Sequence, residues 1–308
     1  MSCPREIGGA PPSAIQRLIA ATLRALLKPL LMPAFTVRAP LSLQRRWLKA
    51  VSSITLPARG VVRFNAHIES VPVEWVGDGQ ALTLLYLHGG GYVSGSPGTH
   101  RALTTHLAKR LNATVAVPGY RLAPEHPFPA ALDDAVAVYR GLVAQGHDLR
   151  RLAIAGDSAG AGLALALLRR LRDDATLPAP AAGVLLSPWL DLSLEHTPHR
   201  MPGEVMLNWK WLDAAALSYA GDDRARPQVS PLRGDLNGLP PLLIQCGSDE
   251  ILRGDSDRLA AVLADSDTRA RYQLYPQRWH VFQLHAGVLE DADWAIDAIA
   301  DFLAHEQN

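Results

Sequence analysis

At 308 residues, with 48% hydrophobic and 19% charged residues, the chain is long enough for one large α/β domain with a smaller helical addition. Its 30 Lys and Arg balance 30 Asp and Glu, and a formal net charge of zero gives no sign of attraction to nucleic acid or acidic membranes. The two cysteines are Cys3, near the chain start, and Cys246, in an apolar run; no disulfide is expected, which is compatible with a reducing cytoplasm.

The first periodic segment carries Ile15, Leu18, Ile19, Thr22, Leu23, Leu26, Leu27 and Leu30 on one helical face. Arg17, Arg24 and Lys28 interrupt it, so it fits neither a signal peptide nor a membrane span. A cytoplasmic protein without a stable membrane anchor is expected, with a surface-lying amphipathic helix as the alternative. Residues 60–77 read as edge strands, clearest at Val71–Val76. Strands and helices then alternate: a strand over Leu82–Leu87, a helix over 99–111, a strand at Val115–Pro118, a helix over 130–144, a strand at Leu152–Ala155 and a helix over 160–172. Gly183–Leu186 continues the series. This alternation predicts a mostly parallel sheet with helices on both faces.

Two glycine-rich turns fall at strand ends. His88-Gly89-Gly90-Gly91-Tyr92 follows Leu82–Leu87. Three consecutive glycines allow a tight backbone whose N–H groups face a ligand. The alternative, a phosphate-binding loop, lacks the P-loop lysine and the spaced glycines of a dinucleotide fingerprint. Gly156-Asp157-Ser158-Ala159-Gly160 sits between a strand and a helix. A strand turning sharply into a helix raises Ser158 above the sheet and offers the Ala159 N–H beside it.

A serine nucleophile needs a base oriented by an acid, here expected further along the chain. Pro241–Gly247 reads as a buried strand, followed by Ser248-Asp249-Glu250. Asp249 is the expected acid, and Glu250, further into the turn, is the alternative. Asp255 and Asp257 fall on the next amphipathic helix and are read as solvated. Ala270–Tyr275 reads as the following strand, and His280, in the loop after it, is the expected base. His196 and His199 precede every acid candidate, and Pro198 interrupts their spacing, so no metal site is expected there.

Together these motifs resemble those of the hormone-sensitive-lipase-like (bacterial family IV) esterases, over about residues 60–305. Tyr120–Ala131 resembles the long segment that this family carries after its fourth strand. The resemblance implies an α/β-hydrolase fold with an eight-stranded, mostly parallel sheet flanked by helices. It implies that residues 1–55 form the first part of a helical cap. Residues 195–219, which break the alternation, are the expected second part, leaving 56–194 and 220–308 as the catalytic domain. It further implies that Gly90, Gly91 and Ala159 donate to an oxyanion and that His88 anchors their loop. The family often has Asp-Pro-Leu at the acid, where this chain has Asp249-Glu250-Ile251-Leu252.

The expected activity is hydrolysis of short- to medium-chain carboxylic esters by Ser158, Asp249 and His280 through an acyl-enzyme, on a small-molecule substrate and with no metal or cofactor. A lactone hydrolase using the same chemistry, and a binding protein on the same fold, are the alternatives. Tyr92, Trp189, Met206, Leu207, Trp209, Trp211, Val281 and Phe282 are candidates for the apolar pocket wall. Homodimer formation is left open.

Overall fold

The computed structural model describes residues 5–9, 13–174 and 176–306; Cys3 lies outside them. In chain order the elements are β1 (Arg5–Ile7), α1 (Ala14–Leu31), α2 (Leu41–Ser52), β2 (Arg63–Ile68), β3 (Val71–Val76), β4 (Leu82–Leu87), α3 (Arg101–Arg110), β5 (Ala113–Pro118) and α4 (Ala130–Ala144). They continue with β6 (Leu152–Asp157), α5 (Ala159–Asp173), β7 (Ala182–Leu186), α6 (Trp209–Ala220), β8 (Leu242–Gly247), α7 (Arg253–Ala264), β9 (Ala270–Tyr275) and α8 (Glu290–Glu306).

One sheet runs in the order β1-β9-β8-β7-β6-β4-β5-β3-β2. All neighbours are parallel except β2 with β3 and β3 with β5. The central strands are apolar on both faces because helices cover both: β6 and β7 are buried along their whole length. Such uninterrupted runs make these strands visible in the sequence.

The sheet has nine strands rather than the expected eight. The addition is β1, whose residues pair with Tyr272, Gln273 and Leu274 along the outer edge of β9. Three residues are too few to show a period, and their strand geometry is supplied by the partner. The expected cap segment 1–55 therefore begins with a strand that belongs to the sheet.

Helices α1 and α2 and the stretch before α6 lie together over the carboxyl ends of the central strands. Phe35 packs edge-on against Trp211, with ring centroids 4.9 Å apart. The Trp211 indole N–H donates to Gln44 (2.8 Å), and the Asn208 side chain donates to the Phe35 carbonyl (2.7 Å). Among the described residues, no helix is long and apolar enough to cross a membrane.

Candidate active site

The turn from β6 into α5 holds Ser158 at φ 54° and ψ −123°, a conformation L-residues avoid. Surrounding contacts fix it: the Ser158 N–H donates to Leu186 O (2.8 Å), and its carbonyl accepts from Ala161, Gly162 and Trp189. The turn closes only because the position two residues on is bare. A Cβ on Gly160 would lie 2.1 Å from the Leu87 carbonyl oxygen and 2.5 Å from that of His88.

The glycine turn after β4 lies alongside. Gly90 has φ 124°, outside the range of other residues. Its carbonyl accepts from the Ser94 hydroxyl and N–H, both at 2.9 Å, which curls the loop. Among the described residues, no backbone carbonyl accepts from the N–H groups of Gly90, Gly91 or Ala159. His88 is buried, stacked on Tyr120 with centroids 4.2 Å apart, and its Nδ1 is 2.9 Å from Gly89 O. Burial, with the nearby His100, lowers its pKa to about 3, so it is neutral.

Asp157 joins the two turns. Its Oδ1 accepts from the Tyr86 hydroxyl (2.7 Å) and the Gly89 N–H (3.0 Å), and its Oδ2 lies 3.2 Å from His100 Nε2. The protonation of His100 follows from its neighbours. The Thr99 hydroxyl lies 2.8 Å from Ser96 O and 2.9 Å from His100 Nδ1; donating to the carbonyl leaves it free to accept from the ring. With Nε2 facing a carboxylate, an imidazolium would donate from both ring nitrogens, to Thr99 and to Asp157. Burial opposes the charge, but Asp157 raises the His100 pKa overall, and His100 in turn holds Asp157 below its ordinary range.

The carboxylate bonded to the expected base is not the one expected. His280 Nδ1 is 3.0 Å from Glu250 Oε2, not from Asp249. Glu250 is fully buried. Its other oxygen accepts from the Ser187 hydroxyl (2.7 Å) and from the Gly247 N–H. Asp249 points the opposite way, to Arg24 of α1 (2.8 Å) and to the Ser248 hydroxyl (2.8 Å), with a quarter of its side chain exposed. Successive residues of the turn after β8 face opposite sides, and only Glu250 faces the histidine loop. Burial alone would lower the His280 pKa; the hydrogen bond and charge of Glu250, with smaller help from Glu204 and Asp157, raise it above 6.5 overall. Nε2 of His280 is buried and has no hydrogen-bond partner among the described residues.

Asp255 also departs from expectation. It is buried, not solvated, and accepts from the Leu190 and Asp191 N–H groups (2.7 and 3.0 Å). Desolvation pushes its pKa up to about 7.

Ser158 and His280 open on one cavity of about 230 Å³. Of the eight predicted wall residues, Met206, Leu207, Trp211 and Val281 line it. The other four do not. Tyr92 stacks on Tyr219 at 3.9 Å, Trp189 is wholly buried, Trp209 packs on His199, and Phe282 packs on Tyr275. Most of the remaining apolar wall is Leu23, Leu27, Leu30, Leu31 and Phe35, with Leu48 and Val51 from α2. Three of these stand on the periodic face seen in the sequence, which was a usable signal. That face is split, however: Ile15, Leu18 and Leu26 point to solvent.

Two further residues escaped the sequence reading. Ser187, at φ 46°, donates to Glu250 and accepts from the Val281 N–H (3.0 Å), tying acid and histidine loop together. Glu204 is buried, accepts from the Val205, Met206 and Leu207 N–H groups, and reaches the Ile251 N–H at 3.0 Å. Neither lies in a recognisable motif. For the acid a signal did exist: aligning Leu252 with the leucine of Asp-Pro-Leu puts Glu250 in the acid's place.

A strained serine elbow at the carboxyl edge of a mostly parallel sheet, facing a carboxylate-bonded histidine, defines a hydrolase of the α/β class. The chain belongs to the alpha/beta hydrolase fold family, whose pattern matches residues 84–284, and within it to the esterases of the bacterial hormone-sensitive lipase family. It is a carboxylesterase by class.

Among its relatives is an acetyl-hydrolase of Streptomyces hygroscopicus, 46% identical over 237 residues that cover 75% of this chain and 78% of the relative. An esterase of Acinetobacter venetianus is 41% identical, covering 71% and 73%. The crystal structure of an esterase from the bacterial hormone-sensitive lipase family superposes with a TM-score of 0.85 at 34% identity, covering 97% of this chain and 100% of the other.

Proposed function

We propose that this chain hydrolyses carboxylic esters with short to medium acyl chains, through a Ser158–His280–Glu250 triad and an acyl-enzyme. The observation that carries the reading is the shared cavity: Ser158 stands at the tip of a strained turn beside a histidine bonded to a buried carboxylate. His280 takes the Ser158 proton at Nε2 as Oγ attacks the acyl carbon, and Glu250 holds the ring and stabilises its charged form. The N–H groups of Gly90, Gly91 and Ala159 receive the developing oxyanion, each contributing about 3–4 kcal/mol. His280 then protonates the leaving alcohol. Water activated by the same nitrogen releases the acid and frees Ser158.

Residues up to 55 that follow β1, together with 195–219, act as the cap. Leu23, Leu27, Leu30, Leu31 and Trp211 wall the cavity, and a walled apolar cavity of this size limits chain length by exclusion. Each methylene that fits adds only about 0.8 kcal/mol, so the steric limit decides the optimum. The acetyl-hydrolase name of the Streptomyces relative points the same way. The test is kcat/KM across 4-nitrophenyl esters from acetate to palmitate. The optimum is expected at about eight carbons or fewer, where the cavity stops admitting further methylenes. A maximum at palmitate would overturn the reading.

A further inference from the structure

The neutral charge of the whole chain conceals an uneven distribution. Between Glu6 and Glu69 there is no Asp or Glu, while this stretch holds nine Lys and Arg. Three of these are used inside the protein: Arg24 on Asp249, Arg45 on Glu125 and Arg63 on Glu74. The other six, Arg17, Lys28, Arg38, Arg46, Lys49 and Arg59, are exposed and make no ion pair among the described residues.

The same stretch carries an unusual apolar surface. Ile15, Leu18, Leu26, Met32, Ile54 and Leu56 are each at least 60% exposed. Among the described residues, the exposed large hydrophobics outside 13–68 are only Ile7, Leu217 and Val262. Ile54 and Leu56 also line the cavity that holds Ser158, so the mouth of that cavity opens on this face.

We propose that the outer face of α1, α2 and the 53–56 turn docks on the surface of an anionic lipid bilayer, with the cavity mouth turned toward the lipid. Exposed Leu and Ile side chains gain by entering the acyl boundary, and flanking cations gain from anionic headgroups. Charge argues against a second copy: a symmetric pair would set two sets of unpaired cations against each other. Nucleic acid would engage the cations but leave the leucines in water. Since no described helix spans a bilayer, the association is peripheral.

The test is flotation of the full chain with vesicles of mixed phosphatidylglycerol and phosphatidylcholine, compared with phosphatidylcholine alone. The protein is expected to float with the anionic vesicles and several-fold less with neutral ones, and to be released by high salt. The double variants Leu18→Ser/Leu26→Ser and Arg17→Gln/Lys28→Gln should each weaken binding on the order of tenfold. Both should keep the wild-type circular dichroism spectrum and rate on soluble 4-nitrophenyl acetate, because none of these four side chains lines the cavity. Failure to float with anionic vesicles, or equal binding by the variants, would overturn the proposal. So would a dimer in light scattering that Leu18→Ser/Leu26→Ser dissociates, since a second copy would then cover the face.

Discussion

The Glu250 carboxylate is shut off from water and held on three sides, by the Ser187 hydroxyl, the Gly247 N–H and His280. Glu250→Gln removes the charge that favours protonated His280 but leaves its burial. A loss of about 10³–10⁴-fold in kcat is expected, the scale seen when a triad acid is neutralised. Asp249→Asn, whose side chain bonds Arg24 and Ser248 and not His280, should cost less than about tenfold. The pH profile separates the two. In the proposed mechanism His280 serves as base only when neutral, and its folded pKa is raised, so wild-type kcat/KM should climb through a midpoint above 6.5. In Glu250→Gln that midpoint should move down, because desolvation is then opposed only by the smaller influences of Glu204 and Asp157; in Asp249→Asn it should stay. The reverse pattern would restore Asp249 as the acid. Which of two adjacent carboxylates faces the histidine was legible only through the match of Leu252 to the family's Asp-Pro-Leu, not from the strand and turn pattern. The choice is made by partners far away in sequence, Arg24 for one and Ser187 for the other.

The nucleophile turn and the glycine turn are separate pieces of chain, and the buried pair of Asp157 with His100 joins them. His100 is faced by Asp157 from β6, by the Tyr86 ring from β4, and by His88 at 5.5 Å. His100→Gln leaves Asp157 buried without a cation, and a broken buried pair costs about 3–5 kcal/mol. Urea denaturation should register that loss. The raised His100 pKa fixes the sign with pH: its contribution is complete below about 6.5 and fades as pH rises through the folded value. The stability gap between wild type and variant should therefore narrow on going alkaline, and a constant gap would count against a charged His100. At this scale the sequence was more informative. Leu82–Leu87 and Ala270–Tyr275 fold over the residues their apolar runs predict, because both are enclosed by neighbours and carry their own signal. β1 has no such signal and takes its form from the edge it covers.

Across the whole molecule, the sheet sets Ser158 and His280 at its carboxyl edge while α1, α2 and the 204–211 stretch roof them over. The order of strand, helix and motif along the chain was enough to reach the fold class. The cavity wall was only half legible, because long apolar faces do not state which of their leucines turn inward; α1 shows Leu27 to the cavity and Leu26 to solvent. The central claim is that one serine forms the acyl-enzyme. Its most direct measurement is peptide mass mapping after treatment with an organophosphate, with Ser158→Ala run in parallel. One adduct is expected, on Ser158, in step with loss of ester hydrolysis. The variant should take no label, keep its fold, and lose on the order of 10³–10⁶-fold in kcat. A label on another residue, or a fully labelled enzyme that still turns over ester, would contradict the account.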